Sequence, residues 1–119
     1  MDIFGKMKLK TEIEFDAAHR LENYDGKCAN LHGHRWRVII WVEGEKLDNR
    51  GILWDFTNAK EIEEHFDHKC LNDVMDVNPT AENIAFEILS MLCFNTKDLT
   101  FKVRVYESPK SYAEVTYEH

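Results

Sequence analysis

The sequence predicts an α+β domain in which helices cover one face of an antiparallel sheet. Apolar and polar residues alternate over 8–19, 34–43, 101–106 and 112–117, a pattern typical of strands with one buried face. Between the second and third of these segments, apolar residues recur at helical spacing instead. The predicted order is therefore strand, strand, helix, helix, strand, strand.

Each of the first two strands places a histidine in line with buried side chains. In the first strand, the apolar face comprises Leu9, Ile13, Phe15 and Ala17. His19 has the same parity, so it enters the interior if the strand continues that far. In the second strand, His34 shares a face with Trp36. The segment 20–33 between the two strands is predicted to be a polar loop.

The other face of the second strand also carries apolar residues. Ile39 and Trp41 lie there beside Arg35 and Arg37. A strand with apolar side chains on both faces is expected to be covered on both. Another subunit is one candidate for that second cover.

Two helices are predicted in the middle of the chain. The first begins at Asp55 or Thr57 and ends at about Phe66, with the Thr57 side chain capping its start. The second has Thr80 as its N-cap and ends near Asn95. Each helix has an apolar stripe, which is expected to pack on the sheet.

A carboxylate stands at the end of the third predicted strand. Glu107 has the parity of Val103 and Val105, so its side chain is aimed inward. A carboxylate in that position is costly unless it holds a partner.

Length and composition restrict the class of protein. With 119 residues, the chain is expected to be a single domain spanning residues 1–119. Its net charge of −7 argues against non-specific nucleic-acid binding, although local cations can still bind a small anionic substrate. No apolar run reaches the roughly 20 residues of a membrane span. The start of the chain lacks signal-peptide features and the three cysteines form no disulfide pattern, so the cytoplasm is the expected compartment.

Three histidines form a candidate metal site. His32 and His34 are two residues apart, so an extended chain presents both imidazoles on one side, and His19 can supply a third ligand. Three protein ligands leave one position open on Zn²⁺, as in catalytic sites. Two alternatives remain open: Cys28 can close the site as a fourth ligand, or each histidine can be satisfied separately by backbone carbonyls.

Cys28 and the pair Asp67-His68 are the other candidates for chemistry. Cys28 lies on the polar loop beside Lys27 and near the expected cation, surroundings that make a thiol a base or nucleophile. Catalysis and metal ligation are equally compatible with that position. An Asp next to a His can orient the ring and tune it as a proton donor, although a histidine at a helix C-terminus is also favourable without any function.

These residues occur in order in motifs that resemble a known family. The motifs are Phe15-Asp16-Ala17-Ala18-His19, Cys28-Ala29-Asn30-Leu31-His32-Gly33-His34, Asp67-His68, Pro79-Thr80-Ala81-Glu82-Asn83-Ile84-Ala85 and Glu107-Ser108-Pro109. Over about residues 8–118 they resemble the family of 6-pyruvoyl- and 6-carboxy-tetrahydropterin synthases. Three residues between Cys28 and His32 resemble the carboxy branch, whose product feeds queuosine and other deazapurines. A third relative, acting in folate synthesis, has Glu in place of this cysteine.

The resemblance implies a fold, an assembly and a metal. The fold is the tunnelling fold, or T-fold, in which subunits pool their sheets into a barrel. A homo-oligomer, either a tetramer or a hexamer, is then expected to have active sites at its subunit interfaces. Zn²⁺ is expected on His19, His32 and His34, where it would bind the side-chain oxygens of the substrate and acidify the adjacent C–H.

The resemblance also implies a reaction and residue roles. The expected substrate is the small molecule 7,8-dihydroneopterin triphosphate, converted to 6-carboxytetrahydropterin with loss of acetaldehyde and triphosphate. Cys28 would be the base, His68 held by Asp67 the proton relay, and Glu107 the pterin anchor, with Thr80 as a further pterin contact. Candidates for the triphosphate are Lys27, Arg35, Lys69 and Arg104. The alternatives are a 6-pyruvoyl-tetrahydropterin synthase and a non-catalytic zinc- or pterin-binding module.

Overall fold

A five-stranded sheet with helices packed on one face forms the protein. The computed structural model describes residues 5–94 and 96–118. The strands are β1 Met7–His19, β2 His32–Gly44, β3 Lys69–Cys70, β4 Thr100–Ser108 and β5 Ser111–Tyr117, and the helices are α1 Thr57–Phe66, α2 Leu71–Val74 and α3 Ala81–Cys93. A single 3-10 turn, Lys27–Ala29, lies in the loop between β1 and β2. The α+β class and the four predicted strands are confirmed.

The sheet is mixed rather than wholly antiparallel. Its strand order is β3-β1-β2-β4-β5, and only the β1–β3 pair is parallel. The two residues of β3 lie beside Ala17 and Ala18 of β1. Two residues are too short for an alternating pattern, so the sequence analysis missed this strand and the one-turn helix α2 that follows it.

The long strands β1 and β2 carry the core. Their paired register runs from Met7 opposite Gly44 to His19 opposite His32, so β2 begins two residues before the predicted start. The inner face of the sheet packs against α1 and α3 through fully buried side chains, which include Phe15, Trp36, Phe66, Ile84, Ile88, Phe101 and Val103. The side predicted to be buried is therefore the side that the helices cover.

The two long helices begin differently from one another. Thr80 accepts a hydrogen bond from the Asn83 backbone N–H at 3.1 Å, which confirms it as the cap of α3. Thr57 does not cap α1: its N–H and its hydroxyl both donate to Asp55 Oδ1, at 2.9 and 2.8 Å. These hydrogen bonds lower the pKa of Asp55. The predicted end of α3 near Asn95 lies outside the described residues; the described helix ends at Cys93.

The outer face of the sheet, opposite the helices, is covered by the chain's own charged side chains. Ile39 is only 4% exposed there, between its cross-strand neighbours Glu12 and Arg104. Lys102 Nζ lies 4.3 Å from the centroid of the Trp41 ring, and Arg104 Cζ lies 5.1 Å from it. Long basic side chains cover apolar surface with their stems while their charged ends stay in water. A second subunit is therefore not required to bury Ile39.

Within the described residues, none of the helices has the length and apolar character needed to span a membrane.

Replacing the α3 cap should destabilise the fold by a predictable amount. Thr80→Ala removes the acceptor for the Asn83 N–H and is expected to lower the free energy of unfolding by about 1 kcal/mol. Thr80→Ser keeps the hydroxyl and should stay close to the wild-type value. Urea denaturation followed by circular dichroism measures both variants. Equal stability of Thr80→Ala and Thr80→Ser would show that the hydroxyl contributes nothing as a cap.

Candidate functional site

The register of β1 and β2 brings the three predicted histidines into one cluster. His19 lies directly opposite His32, while Ala17 lies opposite His34. The ring centroids are 4.6 Å apart for His19 and His32, 4.8 Å for His32 and His34, and 5.1 Å for His19 and His34. The structure therefore assembles the predicted group at the end of the sheet where β1 stops.

Backbone carbonyls determine which nitrogens of two rings face the cluster. His19 Nδ1 lies 2.7 Å from the carbonyl oxygen of Pro79, and His32 Nδ1 lies 2.7 Å from that of Asn30. A carbonyl only accepts, so each Nδ1 carries the proton and donates it. In the neutral rings the two Nε2 atoms then hold lone pairs, and they are 3.1 Å apart. Two lone pairs at this separation repel, so a cation shared between them, either a proton or a metal ion, would stabilise the pair.

Glu107 adds a fourth donor to this cluster. Its Oε1 atom lies 3.1 Å from His34 Nε2 and 3.5 Å from His19 Nε2. The ligand atoms of His19, His32, His34 and Glu107 all lie within 4.8 Å of one another. Two nitrogen ligands of a tetrahedral zinc ion are about 3.3 Å apart, close to the separations observed here. The donor set and its spacing fit a divalent transition-metal ion.

His34 contributes a third imidazole that is suited to bind a cation. Its Nε2 atom is buried and makes no hydrogen bond, because the Glu107 oxygen is close enough for an ion pair but lacks hydrogen-bonding geometry. Burial lowers the pKa of His34, and this effect outweighs the opposing charge of Glu107. The imidazole is therefore held in the neutral form that binds metals.

Trp36 forms the apolar floor of the cluster. It is fully buried, and its ring contacts His19 and His34 edge-on, with centroids 5.0 and 5.3 Å away. Its indole N–H donates to the Ala17 carbonyl oxygen at 3.2 Å, which fixes the ring relative to β1. A dry wall beside polar ligands strengthens their interaction with a bound cation.

Asp67 and His68, between α1 and β3, form a hydrogen-bonded pair that contacts β1 at Asp16. His68 Nδ1 lies 2.9 Å from Asp67 Oδ2. Asp67 Oδ1 accepts the Asp16 backbone N–H at 3.0 Å, and the His68 N–H donates to the Asp16 carbonyl at 2.7 Å. These bonds hold His68 at a φ of 57°, and the hydrogen bonds from Asp16 and then His68 lower the pKa of Asp67. The ring of His68 is 79% exposed, so it is oriented and still accessible.

Two open clefts meet at the histidine cluster. One, of about 540 Å³, is lined by residues that include His34, His68 and Lys69. The other, of about 570 Å³, is lined by residues that include His34, Tyr106 and Glu107. Because His34 borders both clefts, one bound molecule can contact the histidine cluster together with His68, or the cluster together with Glu107.

Cys28 lies in the loop between β1 and β2, just before the histidines of β2. It lies on the 3-10 turn, partly buried, and its carbonyl oxygen accepts the Leu21 N–H at 2.9 Å. Within the described residues, the groups that could hold a metal do not include its sulfur. The fourth donor that the structure supplies beside the three histidines is Glu107, where the sequence analysis had considered Cys28.

The candidate triphosphate-binding cations are mostly paired already. Arg35 contacts Glu14 and Asp16, each at 2.9 Å, and Lys69 Nζ donates to the carbonyls of Glu64 and His65. Arg104 lies 2.8 Å from Glu114. These partners neutralise or occupy the side chains, so an anion must displace them or share them.

Two asparagines that the sequence analysis missed hold the chain just after His19. Asn72 accepts the Arg20 N–H at 2.9 Å and donates to its carbonyl at 3.0 Å. Asn78 does the same for Glu22, at 2.9 and 3.2 Å. Each side-chain amide thus makes the two backbone hydrogen bonds that a neighbouring strand would otherwise make. The pattern Asn-Pro-Thr before a helix was the available signal.

The chain is similar to known proteins over most of its length. The family described as "6-pyruvoyl tetrahydropterin synthase" matches residues 8–118. The chain belongs to this family. A "putative 6-carboxy-5,6,7,8-tetrahydropterin synthase" of Pyrococcus horikoshii is 32% identical over 144 residues, covering 94% of this chain and 91% of that protein. The 6-carboxy-5,6,7,8-tetrahydropterin synthase of Rickettsia conorii is 33% identical over 137 residues, covering 92% and 99%.

Solved structures of other proteins share the fold. The Caenorhabditis elegans 6-pyruvoyl tetrahydropterin synthase superposes with a TM-score of 0.76 at 26% identity, covering 100% of this chain and 99% of that one. An uncharacterized Wolinella succinogenes protein gives the same TM-score at 20% identity, over 95% and 99% of the two chains. The predicted T-fold is confirmed.

Metal binding should be visible as a change in stability. Zn²⁺ added to metal-free protein is expected to raise Tm, since an ion that binds only the folded state contributes about 2.7 kcal/mol at 100 times its Kd. His32→Ala should lose most of this increase, because it removes a ligand from the cluster. Glu114→Gln, which lies outside both candidate metal-binding groups (the histidine cluster and the set Asp16, Asp67 and His68), should keep it. Differential scanning fluorimetry with and without a chelator measures all three proteins, and an unchanged shift in His32→Ala would contradict the site.

Proposed function

We propose that the protein is a 6-carboxy-5,6,7,8-tetrahydropterin synthase that uses zinc. The reaction converts 7,8-dihydroneopterin triphosphate and one water to 6-carboxytetrahydropterin, acetaldehyde and triphosphate. The pterin ring gains two hydrogens while the retained side-chain carbon is oxidised, so no external oxidant or reductant is needed. The observation that carries the proposal is the cluster of three imidazoles with Nε2 atoms converging on one point, in a chain of this family.

The branch assignment rests on the relatives. Those named above as 6-carboxy-5,6,7,8-tetrahydropterin synthases are 32% and 33% identical to this chain over more than nine-tenths of its length. The short spacing between Cys28 and His32 supports the same branch. A 6-pyruvoyl-tetrahydropterin synthase is the second candidate, favoured by the structural similarity to the C. elegans enzyme.

The histidines would hold the metal, with His19 and His32 oriented by backbone carbonyls. A zinc ion bound there supplies a Lewis acid that polarises substrate oxygens and acidifies the adjacent C–H. His19 is buried and its Nδ1 proton is engaged by Pro79, so its Nε2 lone pair is directed to the ion. His34 borders both clefts, and its low pKa keeps it available as a ligand.

The remaining roles are those of proton transfer and binding. Cys28 would remove the substrate proton, and His68 would relay protons because Asp67 fixes its ring while leaving it accessible. Glu107 would bind the guanidine-like edge of the pterin by two hydrogen bonds, with Thr80 as an additional contact. The 570 Å³ cleft that Glu107 lines is of the size that small ligands occupy.

The complete site would form at an interface in a homo-oligomer, a tetramer or a hexamer. In the single chain the histidine cluster and His68 share a cleft that is open to solvent. The T-fold, in which subunits pool their sheets, supports a site to which a neighbouring copy contributes further groups. The three free thiols support a reducing compartment such as the cytoplasm, and the product would feed queuosine or another deazapurine.

The decisive experiment is product analysis. Zinc-loaded protein is incubated with 7,8-dihydroneopterin triphosphate, and the products are identified by mass spectrometry together with a separate assay for acetaldehyde. Release of acetaldehyde identifies the carboxy branch, and triphosphate without acetaldehyde identifies the pyruvoyl branch. Binding of the dihydropterin without turnover would instead favour a non-catalytic module.

Removing the thiol should separate catalysis from metal binding. Cys28→Ala is expected to lower kcat by about 10²–10⁴-fold, the usual contribution of a general base, while the zinc content stays at the wild-type level. Cys70→Ala is the matched control and should retain activity. Metal analysis and steady-state kinetics on the same samples test this, and loss of zinc in Cys28→Ala would identify the cysteine as a structural ligand.

Mixing two inactive variants tests whether subunits share the site. Cys28→Ala and His34→Ala are unfolded together and refolded, so that mixed oligomers form. If cysteine and metal come from different subunits, about a quarter of the sites combine two intact halves and regain activity. Refolding each variant alone is the control. No recovery in mixed oligomers would show that one chain supplies both groups.

A further inference from the structure

Glu107 lies close enough to the three imidazoles to act as a metal ligand. Its Oε1 atom lies among the imidazoles, 3.1 Å from His34 Nε2 and 3.5 Å from His19 Nε2. Those two separations bracket the spacing of about 3.3 Å expected between two ligand atoms of a tetrahedral zinc ion. The carboxylate therefore stands where a fourth metal ligand would stand.

Glu107 lies at a distortion of β4. The β4–β5 register shifts between Tyr106 and Ser108, so Glu107 is the residue without a cross-strand partner. Such a bulge bends the strand and re-aims the side chain that it carries. The side chain remains 32% exposed and lines the 570 Å³ cleft, so it has room to move.

The two tasks of this carboxylate require different orientations of its oxygens. Binding the edge of a pterin by two parallel hydrogen bonds directs both oxygens at that edge. Oε1 faces His19 and His34 instead, so the carboxylate must turn away from the imidazoles to bind a pterin in this way.

We propose that Glu107 is the fourth metal ligand of the resting protein and leaves the metal when a pterin binds. The pterin-binding part of this inference rests on the proposed function, whereas the metal-ligand part rests only on the geometry of the histidine cluster. Three imidazoles and one carboxylate close the coordination sphere of zinc, and removal of Glu107 opens one position. The position thus becomes available only when a molecule with a pterin edge occupies the cleft.

The first test measures the metal without any pterin. Co²⁺ is substituted for zinc, and its affinity and visible absorption spectrum are compared in wild type, Glu107→Gln and Glu114→Gln. Glu114 is the matched control, since its side chain is 31% exposed and pairs with Arg104, away from the cluster. Glu107→Gln should bind Co²⁺ at least about 10-fold more weakly and show altered d–d bands. Affinity and spectrum equal to those of wild type would overturn the proposal.

The second test adds unsubstituted pterin, which has the recognition edge but no side-chain oxygens to reach the metal. Its binding is measured separately by calorimetry on zinc-loaded protein. Where it binds, the Co²⁺ spectrum of wild type should change, whereas that of Glu107→Gln should not. Pterin binding to wild type with an unchanged Co²⁺ spectrum would overturn the transfer of Glu107.

The two tests also separate this inference from the proposed function. If pterin fails to bind and no dihydropterin is turned over, the proposed function fails, while weak Co²⁺ binding by Glu107→Gln still supports the fourth ligand. Circular dichroism checks that Glu107→Gln is folded. Should it not fold, Glu107→Asp retracts the carboxylate by one methylene and is expected to weaken Co²⁺ binding as well; wild-type affinity in that variant would overturn the proposal.

Discussion

The antiparallel register between β1 and β2 is the constraint on which the rest of the site depends. It sets His19 opposite His32 and brings His34 within two residues on the same face. Slipping the pair by one residue would turn every one of these side chains to the opposite face. The register is held along both 13-residue strands by buried side chains on their shared inner face, such as Phe15 and Trp36. The packing of the core and the geometry of the candidate metal cluster therefore depend on the same strand register.

The segment Asn78-Pro79-Thr80, between α2 and α3, contacts the end of β1, the histidine cluster and the start of α3. Asn78 holds the backbone of Glu22, the Pro79 carbonyl selects the His19 tautomer, and Thr80 starts α3. The Asn83 side chain donates to the Asn78 carbonyl at 2.9 Å and closes the segment on itself. Three consecutive residues thus couple the end of β1, a cluster imidazole and a helix. A substitution in this segment would disturb the site without touching a ligand.

Alternation along the strands revealed most of the fold and half of the site. Burial imposes a period of two, so the parity of His19 and His34 already placed them inside. The pairing of His19 Nδ1 with a carbonyl 60 residues away leaves no local pattern. The hydrogen bonds from Thr57 to Asp55 at the start of α1 leave none either, since both residue types are good caps. Glu107 was correctly aimed inward, but only its distances to His34 and His19 in the structure show that it reaches the histidines.

The basic side chains that cover the outer face of the sheet affect the order in which folding and subunit association occur. Because Lys102 and Arg104 already shield Trp41, and Ile39 is buried within one chain, folding gains little from a neighbour. Folding is then a first-order process, whereas joining of subunits depends on concentration. If a neighbouring copy completes the site, as proposed above, a chain at high dilution would keep its fold and its histidine cluster but lack the groups that the neighbour supplies. The concentration of subunits, rather than their stability, would then control how many sites work.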